Sequence, residues 1–283
     1  MPFRMRIISV LLVLVFVISI SCSCNSYECL RKRNERIFGG VSSERNSRPF
    51  QVALTLRVGS DGEIGFCGGS LIHPEWVLTA AHCCFHGDQQ ITHGQVVLGA
   101  HSLYDRFENG RRMINVEEFV VHPDWEPLTF SNDLALLKLA NIAQTSDTID
   151  IIRLPYLDTV TWSFAGNGAT ASGWGIAAEG VTFISPTLRE KLMTVMTPDL
   201  CNTTYMDLLH ENIVCAFSSS TGTCKGDNGG PLTILFNRSE EVILIGVASF
   251  VETDGCNNGL PSVFTRVQSY LPWISEITGI TLD

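Results

Sequence analysis

From residue 51 onward, hydrophobic positions come in short runs that are rich in β-branched and aromatic side chains. Gly, Pro, Asn and Asp separate these runs, and helical periodicity is almost absent. Short strands with turn signals between them predict an all-β sandwich or barrel. The predicted strands cover residues 52–56, 70–73, 96–98, 117–121, 134–139, 181–183 and 242–248.

The C-terminal segment departs from this pattern. Val267, Leu271, Ile274 and Ile277 recur at helical spacing, which predicts a C-terminal α-helix. Pro272 is expected in its first turn or at a kink, because proline cannot donate a hydrogen bond inside a helix.

The first 36 residues differ in character from the rest. Two arginines precede an apolar run over residues 7–20, and small residues follow it. This order predicts a secretory signal peptide over residues 1–23. The alternative, a membrane anchor, needs an apolar run of roughly 20 residues. Residues 24–36 are then a short basic prosegment, and residues 37–283 form the body of the protein.

The charge of the chain bears on its partners. The full chain carries −10. Residues 1–36 hold six Lys/Arg and two Asp/Glu, which leaves 13 and 27 in residues 37–283, or −14. This net negative charge disfavours binding to nucleic acids and to anionic membranes. The ten cysteines fit an oxidising environment, so we expect a secreted, extracellular protein that leaves the membrane once its signal peptide is removed.

Three segments carry the candidate chemistry. Residues 66–84 read Phe-Cys-Gly-Gly-Ser-Leu-Ile-His-Pro-Glu-Trp-Val-Leu-Thr-Ala-Ala-His-Cys-Cys, and residues 131–139 read Ser-Asn-Asp-Leu-Ala-Leu-Leu-Lys-Leu. Residues 222–232 read Gly-Thr-Cys-Lys-Gly-Asp-Asn-Gly-Gly-Pro-Leu. Together they resemble the histidine, aspartate and nucleophile segments of the trypsin/chymotrypsin-like serine proteases, in the chymotrypsin order. The resemblance covers residues 37–283. It implies two antiparallel six-stranded β-barrels with a C-terminal α-helix.

The resemblance also assigns catalytic roles. His82 would be the general base, Asp133 would fix its tautomer, and Ser249 would support that aspartate. Position 228 would hold the nucleophile, but it is Asn228. An amide has no hydroxyl whose proton His82 could remove while an oxygen attacks. We therefore expect that the chain is not an enzyme, and that the Asn228 side chain hydrogen-bonds His82.

Further roles follow from the same resemblance. Gly226 and Asn228 would supply the N–H groups of an oxyanion hole. Cleavage after Arg36 would free the α-amino group of Ile37, which Asp227 would accept as the activation switch. As an isolated feature, the basic stretch before Ile37 would be an ordinary linker. The primary specificity pocket would be lined by Gly222, Ser249, Val251 and Ser262, a neutral and narrow set that favours elastase-like selectivity over trypsin-like selectivity.

Disulfides implied by the family spacing are Cys67–Cys83, Cys201–Cys215 and Cys224–Cys256. The partners of Cys22, Cys24, Cys29 and Cys84 stay open, with Cys29–Cys84 as one possibility. Asn202 and Asn237 begin glycosylation sequons. We expect no cofactor and no metal, because zinc spacing is absent and Ala100 stands where calcium-binding members of the family carry an acidic residue.

The resulting prediction is a secreted, monomeric, non-catalytic serine protease homologue with a zymogen-like switch. It would bind proteases, protease inhibitors or protease substrates of an extracellular cascade. One alternative is an active endopeptidase of elastase-like or chymotrypsin-like preference, should Ser be the natural residue at position 228. Another is a secreted binding protein whose cleft is not used. The segment over residues 259–274 is similar to arthropod chymotrypsin-like and collagenolytic proteases, which favours an arthropod origin.

Overall fold

The structure is a computed structural model, and it describes residues 40–58, 63–178, 180–206, 211–219, 222–236, 241–250, 256 and 259–282. The predicted signal peptide and prosegment lie outside the described residues. So do Arg36, Ile37, Asn237 and Val251, which sequence analysis assigned to the activation switch, a glycosylation sequon and the specificity pocket. Within the described part, no helix is both long and apolar enough to cross a membrane.

The first half of the described chain forms a closed antiparallel barrel. Six strands close it in the order β2-β3-β4-β9-β8-β7. The strands of this half are β1 (Val41–Ser42), β2 (Gln51–Val58), β3 (Glu63–His73), β4 (Trp76–Thr79), β5 (Phe85–His86), β6 (Gln89–Gln90), β7 (Gly94–Leu98), β8 (Arg112–Val121) and β9 (Ala135–Leu139).

The second half forms a second six-stranded barrel. Its strands run in the order β11-β10-β13-β14-β15-β12, the pairing of β11 with β12 closes the ring, and β1 adds to β11 outside it. These strands are β10 (Gly168–Gly173), β11 (Arg189–Val195), β12 (Ile213–Phe217), β13 (Pro231–Phe236), β14 (Glu241–Ala248) and β15 (Ser262–Arg266). The helices are α1 (Pro198–Thr204) and α2 (Leu271–Thr278).

Each barrel has its own apolar interior. In the first, Leu54, Leu71 and Leu136 are completely buried, and in the second Ile234 and Phe264 are. Alternate side chains of an antiparallel strand point to opposite faces, so each short run supplies one face to an interior. The prediction of two antiparallel six-stranded barrels is confirmed.

The predicted C-terminal helix is confirmed as α2. Pro272 lies in its first turn, where a missing N–H costs nothing. Gly279 ends it with a φ of 74°, a left-handed conformation that glycine adopts without strain. Leu271 and Ile274 belong to the same apolar cluster as the buried residues of the first barrel, so the C-terminal helix packs against that barrel.

One predicted strand is wrong. Residues 181–183 lie in a turn and an irregular segment, and Phe183 is 65% exposed. The apolar residues there do not face an interior, so the local β propensity had no sheet to join.

Candidate active site

His82 sits on a short 3₁₀ turn, Ala81–Cys84, directly after strand β4. Its backbone N–H donates to Asp133 Oδ1 at 2.9 Å, and its ring Nδ1 lies 2.8 Å from Asp133 Oδ2. This two-point attachment fixes the ring plane. It also makes Nδ1 the protonated nitrogen, which leaves Nε2 free to accept a proton from a reactant.

Asp133 is fully buried just before strand β9. Ser249 Oγ donates to its Oδ2 at 2.5 Å, and Thr265 Oγ1 donates to its main-chain carbonyl at 2.8 Å. These bonds satisfy polar atoms of Asp133 that burial removes from water. The donors to this residue come from both barrels, since His82 belongs to the first and Ser249 and Thr265 to the second. The site is therefore assembled between the barrels.

The loop that carries Asn228 is held in place by hydrogen bonds of its main chain. Gly68 of strand β3 donates its N–H to the Asn228 carbonyl at 2.6 Å, and Gly229 donates its N–H to the Ala248 carbonyl at 2.7 Å. Gly229 has a φ of 75°, and a Cβ there would lie 2.2 Å from Thr79 Oγ1. Only glycine fits this position.

The expected hydrogen bond between Asn228 and His82 is absent. Within the described residues, the Asn228 side chain makes no hydrogen bond, and the neighbour of His82 Nε2 is the Cys83 sulfur at 3.8 Å. The side chain is half-buried, so water can meet its polar atoms. Asn228 therefore leaves the His82 ring available to a reactant.

Two backbone N–H groups of this loop have no protein acceptor among the described residues. They belong to Gly226 and Asn228. Gly226 has a φ of 95°, a backbone conformation that residues with a Cβ rarely adopt. A carbonyl oxygen that develops negative charge would be stabilised by such paired donors.

Asp227 is buried immediately beside this loop. Its carboxylate accepts the N–H of Gly175 at 2.8 Å and that of Cys224 at 3.0 Å. Burial nevertheless raises the pKa of Asp227 to about 6. The two N–H groups and the charge of Arg189 lower this pKa, but by less than burial raises it. A Cβ on Gly175 would lie 2.4 Å from the carboxylate, so glycine is what permits this approach.

Gly222 and Ser262, which the resemblance assigns to the specificity pocket, lie against each other and are both neutral. Ser262 is buried, and its Oγ accepts the Thr223 N–H at 2.9 Å. A Cβ on Gly222 would lie 2.5 Å from that oxygen. Any larger side chain at position 222 would therefore require the Ser262 hydroxyl to move, and neither residue carries a charge that could pair with a basic group.

Sequence reasoning missed an aromatic wall beside the site. The Phe130 ring lies 5.7 Å from the His82 ring and 5.4 Å from that of Phe250. Trp125 and Tyr205 extend the wall at 5.6 Å from Phe130 and 6.3 Å from Phe250. These residues are far apart in the chain and follow no common period, so no sequence pattern predicted that their rings would meet.

Cys22, Cys24 and Cys29 lie outside the described residues, and the seven described cysteines fall into two classes. Cys67–Cys83, Cys201–Cys215 and Cys224–Cys256 are disulfide-bonded, with Cα atoms 6.3, 5.9 and 5.3 Å apart. Cys84 is a buried free thiol, and burial raises its pKa to about 12, so it is poorly reactive. The one candidate metal cluster among the described residues is Cys67, His82 and Cys83, and its two sulfurs are bonded to each other.

Comparison with known proteins places this geometry in a family. The sequence model of the Trypsin family matches residues 37–274. The chain belongs to the trypsin family. Brachyurin from Leptuca pugilator is 36% identical over 87% of this chain and 100% of its own. Chymotrypsin-like elastase family member 1 from Rattus norvegicus is 32% identical over 88% and 91%. The solved structure of HL collagenase has a TM-score of 0.74 and 33% identity, over 86% of this chain and 99% of its own.

Membership of the trypsin family corrects one expectation. The expectation from Asn228 that the chain is not an enzyme is wrong, because its relatives, collagenase and elastase among them, are proteases that match over nearly their whole length. That inference used one side chain. The family assignment uses the whole domain, and the structure brings His82, Asp133 and Ser249 together whatever the residue at position 228.

The loop glycine supplies a stability prediction. Gly229→Ala places a Cβ against Thr79 in a left-handed conformation. Gly166→Ala is a matched control, because Gly166 has a φ of 82° and a Cβ there meets nothing within 4 Å. We expect Gly229→Ala to lower the free energy of unfolding by about 1–3 kcal/mol more than the control does. Urea denaturation of both variants measures the difference, and equal losses would contradict the steric account.

Proposed function

We propose that the protein is a secreted peptidase that binds extended segments of extracellular proteins and hydrolyses them slowly, with water as the nucleophile. The observation that carries this proposal is the hydrogen-bonded series Ser249–Asp133–His82. The backbone N–H groups of Gly226 and Asn228, which have no protein acceptor among the described residues, would complete the site. A bound peptide would place its carbonyl oxygen at these N–H groups and its carbonyl carbon near His82.

The reaction then needs no acyl-enzyme. His82 Nε2 takes a proton from a water molecule while the water oxygen bonds to the carbonyl carbon, and the oxyanion is held by the two N–H groups. The imidazolium then gives its proton to the leaving nitrogen as the C–N bond breaks, which yields an amine and a carboxylic acid. In other proteases, a site that lacks one triad member still exceeds water by about 10³–10⁴-fold.

Selectivity follows from the pocket and the aromatic wall. The neutral pair of Gly222 and Ser262 favours a small or medium apolar residue before the scissile bond. The same cleft would accept inhibitor proteins that present a substrate-like loop, because their binding uses the pocket and the N–H groups and needs no hydroxyl at position 228. We therefore include protease inhibitors among the extracellular partners of the cleft.

The test is hydrolysis by protein cut before Ile37, with His82→Ala as the matched control. A specific cleavage site in place of residues 31–36 allows the cut to be made, and the cutting protease is then removed. Peptide amides with Ala, Val, Leu, Phe or Arg before the bond are offered to both proteins. We expect slow turnover, best with small apolar residues, that His82→Ala abolishes. Equal turnover by both proteins, or none above the uncatalysed rate, would refute the proposal.

The activation switch yields a pH prediction for uncut protein. Burial raises the pKa of Asp227 from its ordinary value of 3.8 to about 6 in the folded state, so the folded state binds the proton more tightly. The stabilisation that comes from proton binding at Asp227 is complete below pH 3.8, and it is lost as the pH rises through about 6. In the native uncut protein, we expect the free energy of unfolding to fall by about 3 kcal/mol over this pH window. In the Asp227→Asn variant, this fall should be absent.

Cut protein is the control for this prediction. An ammonium group at residue 37 would favour the charged carboxylate of Asp227 and lower its pKa. The fall in stability between pH 4 and pH 6 should then disappear in the cut protein while Asp227→Asn becomes destabilising. Denaturation curves at several pH values, taken before and after cutting, measure both. The same pH dependence in uncut protein and in its Asp227→Asn variant would contradict the assignment.

A further inference from the structure

We propose that Asn202 carries an N-linked glycan, and that the first N-acetylglucosamine of this glycan lies in a cleft beside Asn202. The residues Asn202-Thr203-Thr204 form a glycosylation sequon, and the hydrolytic proposal makes no use of them. The sugar would join helix α1 to the facing segment over residues 160–164. This inference requires secretion of the chain, but it does not depend on activity in the catalytic site.

Asn202 lies on a helix whose position is fixed. Helix α1 is tied to strand β12 by the Cys201–Cys215 disulfide. At the end of the helix, the Tyr205 hydroxyl donates to the Pro261 carbonyl. Asn202 is half-buried, and within the described residues its side chain makes no hydrogen bond. Attachment of a sugar to this amide therefore breaks no hydrogen bond of the fold.

The cleft beside Asn202 has a volume of about 360 Å³. This volume lies within the range of about 300–1,000 Å³ that is usual for small-molecule sites. The cleft has apolar and polar lining residues, which include Val160, Phe164, Met196 and Val214 on the one hand and Asn212, Gln268 and Ser269 on the other. N-acetylglucosamine has the matching character, because its ring C–H groups and acetyl methyl are apolar while its hydroxyl and amide groups form hydrogen bonds.

Arg266 supplies hydrogen-bond donors in this cleft. Its Nη2 donates to the carbonyls of Val160 and Trp162 at 3.1 and 2.6 Å. In the part of the chain that the structure describes, Arg266 has no carboxylate within ion-pair distance. A guanidinium has five N–H donors, so those on Nε and Nη1 remain for the oxygen atoms of a sugar.

The charges of the cleft suit a neutral ligand. Glu211 also lines it, so the lining has one acidic and one basic side chain. A free anion would meet the carboxylate of Glu211, and a free cation would meet the guanidinium of Arg266. A sugar is uncharged, and its hydroxyl groups can donate to the first and accept from the second.

Attachment of the glycan is a group transfer in the secretory route. The co-reactant is a lipid diphosphate that carries an oligosaccharide. Nδ2 of Asn202 bonds to C1 of the first N-acetylglucosamine as the bond between C1 and the diphosphate oxygen breaks. The lipid diphosphate leaves with the bonding electron pair, and Nδ2 gives up one proton to a base of the transferring enzyme.

Two threonine variants, secreted from insect cells, test the proposal. Thr204→Ala destroys the sequon and Thr203→Ala keeps it. The pair is matched, because Thr204 loses a bond to the Leu200 carbonyl at 2.7 Å and Thr203 loses one to the Asp199 carbonyl at 2.8 Å. We expect peptide mass spectrometry to find a glycan on Asn202 in native and Thr203→Ala protein, and none in Thr204→Ala protein.

Thermal unfolding of the same proteins measures what the sugar contributes. We expect Thr204→Ala to lower Tm by about 2–4 °C more than Thr203→Ala does. In an Asn202→Gln background, where neither variant can carry the glycan, the two should have the same Tm. Arg266→Met keeps the apolar stem of the side chain and removes its donors. It should lower Tm more in the glycosylated protein than in the Asn202→Gln background.

Enzymatic release of the glycan tests its position. A peptide N-glycosidase hydrolyses the glycosylated amide and converts the asparagine to aspartate, which mass spectrometry detects. We expect release from residue 202 to be slower in folded protein than in unfolded protein, and Arg266→Met to make it faster in the folded state. The proposal is overturned if secreted native protein has no glycan on Asn202. It is also overturned if folded and unfolded protein lose the glycan at the same rate, or if Thr203→Ala and Thr204→Ala lower Tm equally.

Discussion

Replacing Asn228 with Ser is expected to raise kcat for peptide hydrolysis by roughly a million-fold, the scale on which another protease, subtilisin, depends on its nucleophile. The reason is local. His82 is already attached to Asp133 through Nδ1 at 2.8 Å, and a hydroxyl at position 228 would give Nε2 a proton to remove. The reaction could then pass through an acyl-enzyme, which divides one difficult step into two easier ones.

The measurement compares native and Asn228→Ser protein, both cut before Ile37, with the same peptide amides. Asn228→Ala is the matched control, since it removes the amide without adding a hydroxyl. We expect the gain to appear in kcat with little change in KM, because the pocket at Gly222 and Ser262 is untouched. An alanine variant as fast as the serine variant would show that relief of crowding, and not the hydroxyl, is responsible.

Asp133→Asn, placed in the Asn228→Ser background, is expected to lower kcat by about 10⁴-fold, the effect of the equivalent change in trypsin. An amide nitrogen at the Oδ2 position would donate to His82 Nδ1 and favour the tautomer with its proton on Nε2. That ring could no longer accept the proton of the hydroxyl. The loss should be largest near neutral pH.

A pH profile distinguishes this role from a structural one. Asp133 is fully buried and hydrogen-bonded to Ser249 and His82, so the variant also needs a check of folding by thermal unfolding. We expect activity of Asp133→Asn to recover in part at alkaline pH, where hydroxide can remove the proton that His82 no longer takes. Loss by the same factor at every pH, together with a lower Tm, would point to disturbed packing instead.

The sequence predicted the motif-bearing part of this protein well. Strands β2, β9 and β14 follow apolar runs, and His82 meets Asp133 as the resemblance implied. Strand β10 was missed because Gly168–Gly173 consists of small residues, of which only Thr170 favours a strand. The aromatic wall of Phe130 and Phe250 and the buried, ion-paired Glu108 were missed for another reason. They depend on contacts between distant segments, which local pattern does not encode.

The error about activity has a physical lesson of its own. The identity of residue 228 was read correctly, and its effect on an acyl-enzyme mechanism follows from its chemistry. Extending that effect to the whole protein ignored the pocket, the N–H groups and the His82–Asp133 pair, which do not depend on the side chain at position 228. Each part of the site is held by different contacts, so one part can change while the others persist.

That independence has an evolutionary consequence. The loop at position 228 is fixed by main-chain bonds from Gly68 and to Ala248, one in each barrel, and the Asn228 side chain contributes no hydrogen bond to it. Exchange of this side chain should therefore leave folding stability nearly unchanged. Asparagine and serine codons can differ by a single nucleotide, so a lineage could pass between the two residues in one step, in either direction, without first having to repair the fold.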